Sequence, residues 1–338
     1  MNPRIALTLG DVAGIGPEIV ARAVVDERLR QCCRPVVVGH PEVFRRASKL
    51  IGVDCEIQVV TSVAEIDWSL PAIPCWNPSD VNASAVPVGV IDARAGRAAY
   101  DYLVASTQAA LHGEIDAITT APLNKAALHA AGLDYPGHTE ILAKECGVRE
   151  FAMMLYLPPG EPLRGPFGLG VAHVTLHTSI RSVPGLLNAL RIRETIQLVD
   201  GFLKRVGCSA PRVGVCALNP HGGEGGLFGD EESTLIEPAV SAARQIGINA
   251  TGPIPADALL RRAVHGEFDG VAAMYHDQGH IALKLIGFER AVNVTLGLPI
   301  VRTSPSHGTA FDIAWQGKAR ACGFVEATMC AALLSSRR

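Results

Sequence analysis

The chain has 338 residues, 48% hydrophobic and 19% charged, with 34 glycines and 22 prolines. That balance excludes a disordered chain, and at roughly 100–200 residues per domain the length suggests about two domains with cores of their own. Thirty basic and 33 acidic residues leave a formal charge of −3, so no broad basic face and no nucleic-acid partner are expected, and any anion site must be a local pocket.

The nine cysteines show no CxxC pair, and only Cys32 and Cys33 are adjacent. They read as free thiols in a reducing cytoplasm. No signal segment is evident at the start, and no apolar run approaches 18 residues, so no membrane span is expected.

Strand-like and helix-like segments alternate. Residues 4–9 read as a buried strand, followed by a glycine-rich loop and a helix that Pro17 starts. Residues 35–38 and 56–61 are strands, 41–50 a helix, and 67–90 a proline-rich irregular stretch. A long helix over 92–111 carries apolar residues at helical spacing, then a strand spans 117–120 and a short helix 125–131. Strands follow at 151–156 and 170–175, separated by the turn-rich excursion LPPGEPLRGPFG. A long helix is expected over 182–206, a strand at 212–217, and a helix to about 246 after the loop NPHGGEGGLFGDEE. Short strands at 270–274, 291–295 and 300–302 precede closing helices. This alternation defines an α/β fold with largely parallel sheets, in which ligands bind beyond the carboxyl ends of strands.

Several strand-end loops concentrate chemistry. The segment GDVAGIGPE at 10–18 fits neither a dinucleotide GxGxxG nor a phosphate loop, and reads equally as an anion-approaching turn or an ordinary tight turn. In YPGHTE, His138 and Thr139 open a helix and suit an oxyanion, with a Thr139 N-cap as the simpler alternative. His173 and His177 lie four apart. On a strand that is about 13 Å, so both cannot bind one ion unless the strand ends between them. His177 is then the better ligand and His173 a core or wall residue. His177, His221 and His276 each follow a strand and suggest a three-histidine site with an open position. Neutral imidazoles suit Zn²⁺, and Co²⁺ or Mg²⁺ are alternatives. Lys284, Asn293 and Arg302 recur at a spacing of nine and combine a point charge with a bidentate fork, which suits phosphate, the alternative being solvated surface charge. Ser306–Ala314 reads as a loop entering a helix.

Taken together, GDVAGIGPE, TAPLNK, YPGHTE, NPHGGEGG, AMYHDQG, the Lys284/Asn293/Arg302 series and SHGTAFDIA closely resemble the 4-hydroxythreonine-4-phosphate dehydrogenase (PdxA) family, across residues 8 to about 318. The resemblance implies an isocitrate/isopropylmalate dehydrogenase-like α/β fold, with two α/β/α domains around a central cleft. The first domain would combine residues 1–125 and 300–338, and the second, 126–299, would carry the metal ligands and a homodimer interface at which the active site forms. His177, His221 and His276 match the metal ligands. His138, Thr139, Lys284, Asn293 and Arg302 match substrate-binding positions. Because GDVAGIGPE and HGTAFDIA are similar to segments of isopropylmalate dehydrogenases, NAD, with NADP as alternative, is placed near Gly14, Gly16, His307, Gly308, Thr309 and Asp312.

The implied reaction is oxidation and decarboxylation of a small phosphorylated 3-hydroxy acid, with a divalent metal lowering the substrate hydroxyl's pKa and NAD taking the hydride. The first substrate is 4-phosphohydroxy-L-threonine, in pyridoxal phosphate biosynthesis. TAPLNK, GGLFGDEE and YHDQGHI look more like the branch acting on 4-phospho-D-threonate or 4-phospho-D-erythronate. Asp257 and Asp277 are candidate orienting carboxylates and Lys125 a candidate acid or base, each with a structural ion pair as the alternative. A zinc hydrolase using the same histidines, or a non-catalytic sugar-phosphate binding protein, are the rivals from other classes.

Overall fold

In a computed structural model, residues 2–336 are described. Among them the strands run β1 (Arg4–Thr8), β2 (Arg34–Val38), β3 (Ile57–Val60), β4 (Ile73–Trp76), β5 (Ala117–Thr120), β6 (Ala152–Leu157), β7 (Leu169–His173), β8 (Val213–Cys216), β9 (Ala250–Ile254), β10 (Gly270–Ala273), β11 (Val292–Leu296) and β12 (Arg302–Pro305). The helices run α1 (Gly16–Ala23), α2 (Glu27–Cys32), α3 (Pro41–Leu50), α4 (Ala93–Leu111), α5 (Lys125–Ala130), α6 (His138–Glu145), α7 (Val183–Leu186), α8 (Ala189–Arg205), α9 (Glu237–Gln245), α10 (Ala256–Val264), α11 (His276–Gly287) and α12 (Cys322–Ser335). The chain divides into two compact units, Met1–Phe151 with Leu298–Arg338, and Ala152–Gly297. The sequence expectation put the boundary at 125/126. Because α5 and α6 pack against α4, residues up to 151 fall in the first unit.

The first unit orders its strands β3-β4-β2-β1-β5-β12, with every pairing parallel. β1 and β5 are buried along nearly their whole length, their threonines included, as strands covered on both faces are. Polar side chains define where its helices begin. Asp92 accepts from the Arg94 amide ahead of α4, and Asn124 from the Ala127 amide ahead of α5. α12 returns the chain to this unit and packs on β12 and β5.

The second unit orders its strands β11-β6-β7-β10-β8-β9. β6 runs antiparallel to both neighbours, and the rest are parallel. Leu155, Leu157, Val171, Val271, Leu259 and Leu283 are buried together as its core. The excursion at 158–168 closes the β6–β7 hairpin. Arg290 holds it by donating to the Pro158 and Pro159 carbonyls at 3.0 and 2.6 Å, and Tyr156 by donating to the Phe167 carbonyl at 2.8 Å.

Three expectations need correction. The helix expected over 182–206 is broken, because Leu187 is extended and Asn188 restarts α8 by accepting from the Arg191 amide at 2.9 Å. β12 lies at Arg302–Pro305, not at 300–302. Residues 307–320 form successive turns and not a helix entry, since Ala310 and Trp315 adopt positive φ of 42° and 58°, which no α-helix accommodates. The nine cysteines are free, and among the described residues no helix is long and apolar enough to cross a membrane.

Candidate active site

In the second unit, β7 ends at His173, so the strand does end between the two histidines. His173 is fully buried, with Nδ1 3.2 Å from the Met153 carbonyl. Burial holds its pKa down at about 4, against the backbone bond that favours its charged form. His177 lies in the turn beyond, its ring centre 5.7 Å from that of His276. His276 is the first residue of α11, and its Nδ1 is 2.6 Å from Asp277 Oδ1. A carboxylate only accepts, so Nδ1 carries the proton, and in the neutral ring Nε2 keeps the lone pair, the tautomer a metal ligand needs.

Both histidines line a cavity of about 470 Å³ with Leu176, Thr178, Ser179 and Tyr275. Gln278, the next residue along α11 after Asp277, accepts from the Met274 amide at 2.7 Å and donates to the Ala217 carbonyl at 2.8 Å, which ties the ends of β10 and β8.

His221 sits elsewhere in that unit's loop system. From His221 to Gly225 five consecutive residues take positive φ, a left-handed turn that explains the glycine content of NPHGGEGG. The buried Glu232 carboxylate anchors it, accepting from the Leu218 and Asn219 amides at 2.8 Å each and from Asn219 Nδ2 at 3.0 Å. Burial pushes that carboxyl up, and the amides outweigh it and hold it below the usual range. His221 itself is exposed, with Nδ1 3.2 Å from Glu224 Oε2 and its ring against Phe228. Among the described residues no group of three His, Cys, Asp or Glu is placed to hold a metal ion within one chain. Two imidazoles at a cavity, one already in the ligand tautomer, still suit a divalent cation in their donor chemistry.

Asn293 stands on β11 with Oδ1 buried and without a hydrogen-bond partner, an acceptor awaiting a donor. Lys284, on α11, lies 5.8 Å over the Phe288 ring. Asp257, in the first turn of α10, is exposed.

In the first unit, Arg302 enters β12 fully buried and donates to Thr120 Oγ1 at 2.7 Å. Desolvation lowers its pKa to about 10, with the Glu140 carboxylate opposing. His138 begins α6. Desolvation, then the Arg302 and Lys125 charges, hold its ring neutral, although it donates to the Ala121 carbonyl. The N-cap position of α6 belongs to Gly137, and no side chain caps it. Thr139 therefore makes no N-cap and stays half-buried in the first turn. Lys125 is exposed at the start of α5.

The 10–18 and 307–317 segments pack on each other. Ile15 donates to the Thr309 carbonyl at 3.0 Å, and the buried Glu18 carboxylate accepts from the Trp315 and Gly317 amides at 2.7 Å. A Cβ on Gly14 would meet the Thr309 carbonyl at 2.8 Å, and one on Gly16 the Leu9 carbonyl at 2.1 Å. These two glycines thus have a packing reason in the protein itself. Around Gly308 there is open space, with His307 and Thr309 half-buried beside it and Asp312 exposed, which leaves room for a ligand's approach.

Residues missed by the sequence reading are Gln278, Glu232 and His280. The four-residue spacing of His276 and His280 on α11 was the available signal for the last.

Relatives matched over nearly their whole length are named dehydrogenases. It is 44% identical over 95% of its length to D-threonate 4-phosphate dehydrogenase of Pectobacterium atrosepticum, 95% of which is covered. It is 43% identical over 98% of its length to 4-hydroxythreonine-4-phosphate dehydrogenase of Geobacter metallireducens, 95% of which is covered. A crystal structure of 4-hydroxythreonine-4-phosphate dehydrogenase from Klebsiella pneumoniae superposes with TM-score 0.86 at 43% identity, covering 99% of this chain and 100% of that one. The chain is therefore an α/β enzyme of the dehydrogenase class, acting on a CH–OH group. The sequence model of the pyridoxal phosphate biosynthetic protein PdxA matches residues 31–331, and the chain belongs to that family. The hydrolase and non-catalytic readings fall with this, since relatives alike over nearly the whole chain are named dehydrogenases.

Proposed function

We propose that the chain catalyses NAD-dependent, divalent-metal-dependent oxidation and decarboxylation of a 4-phosphorylated 3-hydroxy acid, with 4-phospho-D-threonate as substrate ahead of 4-phosphohydroxy-L-threonine. The observation that carries the reading is the cavity faced by His177 and by His276 in its ligand tautomer. The order of substrates rests on charge. The one carboxylate lining that cavity, Asp277, is committed to His276, and its other polar groups are imidazoles and hydroxyls. Such a surface suits a C2 hydroxyl better than a C2 ammonium. Relatives named D-threonate 4-phosphate dehydrogenase support the same order, and the Geobacter relative keeps the second substrate in play.

The chain's own residues divide the work. Arg302, neutral His138 and Thr139 bind the phosphate and acid oxygens, with Lys284 adding a charge and Asn293 Oδ1 accepting from a substrate hydroxyl. Asp277 holds the proton on His276 Nδ1. Lys125 and Asp257, both exposed, are assigned proton transfer with solvent. A divalent cation, Zn²⁺ first and Mg²⁺ or Co²⁺ as alternatives, would be held by His177, His221 and His276 and would polarise the substrate oxygen. NAD, with NADP as alternative, would lie at 307–312 and accept the hydride. The β-keto acid formed loses CO₂ as its enolate charge is stabilised.

His221 joins the other two in this reading from a second copy of the chain, in a homodimer. Leu227 (73% exposed) and Phe228 beside His221, and Ile281, Leu285 (83%) and Phe288 along α11, are apolar side chains that such a partner would cover. A cytoplasmic location completes the proposal. Reduction of NAD⁺ followed at 340 nm tests it, with 4-phospho-D-threonate, 4-phospho-D-erythronate and 4-phosphohydroxy-L-threonine, each with Zn²⁺, Co²⁺ and Mg²⁺. Turnover of the first at the highest kcat/KM is expected, and no turnover of any would overturn it. Sedimentation of the native protein as a monomer would remove the dimer.

A further inference from the structure

Behind His276 stands a second pair of imidazoles that the reaction itself does not use. His280 lies one turn further along α11, and its ring is stacked on that of His276 at 3.7 Å between centres and 13° between planes. Its Nδ1 is 3.1 Å from His173 Nε2, and His173 is tied in turn by Nδ1 to the Met153 carbonyl. The proton positions follow. A carbonyl only accepts, so His173 Nδ1 donates to Met153. The Nε2 of that neutral ring must then accept, and His280 Nδ1 donates to it. The result is a column running from the backbone of β6, through two buried rings, to the face of His276. The packing is built for it, because a Cβ at Gly279 would fall 2.6 Å from His173 Nε2 and the column could not close.

Asp277 and this column constrain different freedoms of the same ring. The Asp277 bond fixes the tautomer and one edge of His276. A hydrogen bond along one edge still allows the ring to tilt about that axis, and a flat, anchored neighbour at stacking distance removes the tilt. We propose that His280, anchored by His173, is a positioning residue that fixes the ring plane of His276 and so aims its Nε2 at the divalent cation. The inference rests on the reading of His276 as a ligand given above.

The test uses the full chain, purified and stripped of metal, with Zn²⁺ affinity measured by competition against a chromophoric chelator and Co²⁺ loading followed by its visible d–d spectrum. His280→Leu fills the volume without a flat ring, and His280→Phe restores the flat ring without the nitrogen. Loss of an outer-shell partner of this kind weakens metal binding by about 10–100-fold. We expect that loss and an altered Co²⁺ spectrum for His280→Leu, with His280→Phe, which keeps the flat ring but gives up the anchor to His173, recovering part of the lost affinity. Parent-like affinity and spectrum in His280→Leu would overturn the positioning role, as would equal losses in the Leu and Phe variants. His276→Ala separates this from failure of the underlying reading. If it too binds Zn²⁺ like the parent, His276 is no ligand and both ideas fall. If it alone loses Zn²⁺, only the positioning role falls.

Discussion

Removing the Glu232 carboxylate should loosen the loop that carries His221, and the size of the effect can be worked from three hydrogen bonds. Oε1 accepts the Leu218 and Asn219 amides at 2.8 Å, and Oε2 accepts Asn219 Nδ2 at 3.0 Å. In Glu232→Ala the Asn219 side chain keeps its bond to Glu231 at 2.7 Å. The two backbone amides keep nothing. A donor left unsatisfied costs about 1–3 kcal/mol, so the pair of part-buried amides sets a loss of roughly 2–6 kcal/mol. Glu232→Gln retains a carbonyl acceptor and should lose about half of that. Because the carboxyl is held below its usual range in the folded protein, its stabilisation is complete above the unfolded carboxylate pKa and disappears as pH falls through the lower folded value. The difference between parent and Ala variant should therefore be constant near neutrality and shrink in acid below about pH 4.5. Urea unfolding from pH 3 to pH 8 reads all of this. An Ala variant within about 0.5 kcal/mol of the parent at pH 7 would refute the reasoning, because that is the range of a surface substitution touching nothing.

Asp11 should give the opposite pH slope: it is buried, desolvation raises its carboxyl from 3.8 to about 6, and the folded state therefore binds the proton more tightly than the unfolded one. Stability should fall by about 3 kcal/mol as pH rises from about 4 to about 6 and then level off, Asp11→Asn should lack that component, and parallel pH curves in urea unfolding would exclude it. Gly279→Ala puts a methyl 2.6 Å from both His173 Nε2 and Val171 Cγ1, so a destabilisation of about 1–3 kcal/mol is expected in thermal or urea unfolding, and an unchanged midpoint would contradict the packing described. Arg302→Lys keeps the charge and loses the fork, so KM for the phosphorylated substrate should rise by about 10–100-fold while the circular dichroism spectrum stays that of the parent; an unchanged KM would take Arg302 out of the substrate site.

Much of the fold was legible because its signals are local. The helix at Pro41–Leu50 and the strand at Ala117–Thr120 follow from a proline start and a short apolar run, and Asp92 marks the start of α4 as its cap. Both missed strands contain proline. In β4, Pro74 pairs only with β3, and pairing with β2 begins at Cys75, so the missing N–H faces no partner. β9, Ala250–Ile254, is an edge strand paired only with β8, where Gly252 and Pro253 are tolerated. Neither pairing is visible in the run of residues itself, because it depends on which neighbour happens to be absent. The helix at 182–206 was overextended for a different reason: Asn188 carried the cap signal, and the apolar periodicity on either side masked it.

The site was legible in residue type and less so in arrangement, and the glycine-rich loops explain why. GDVAGIGPE and NPHGGEGG look alike as strings, yet their glycines answer different demands. In the first, the space of a Cβ is already filled by the chain's own carbonyls, that of Thr309 at Gly14 and that of Leu9 at Gly16, so Gly14 lets two loops of one unit close on each other and Gly16 lets α1 start against the end of β1. In the second, Gly222 and Gly225 meet little or nothing, and what they supply is a left-handed backbone that carries His221 out into solvent. A glycine that buries backbone stabilises a scaffold, whereas a glycine that turns an exposed loop presents a side chain. The histidines divide in the same way. His173 and His177 share one face by spacing, and the end of β7 at His173 separates a ring locked to a backbone carbonyl from one that faces a cavity, as the position of His177 nearer the loop leads one to expect. The spacing of a motif thus limits which side chains can act, and the termination of the element beneath them decides which of them do.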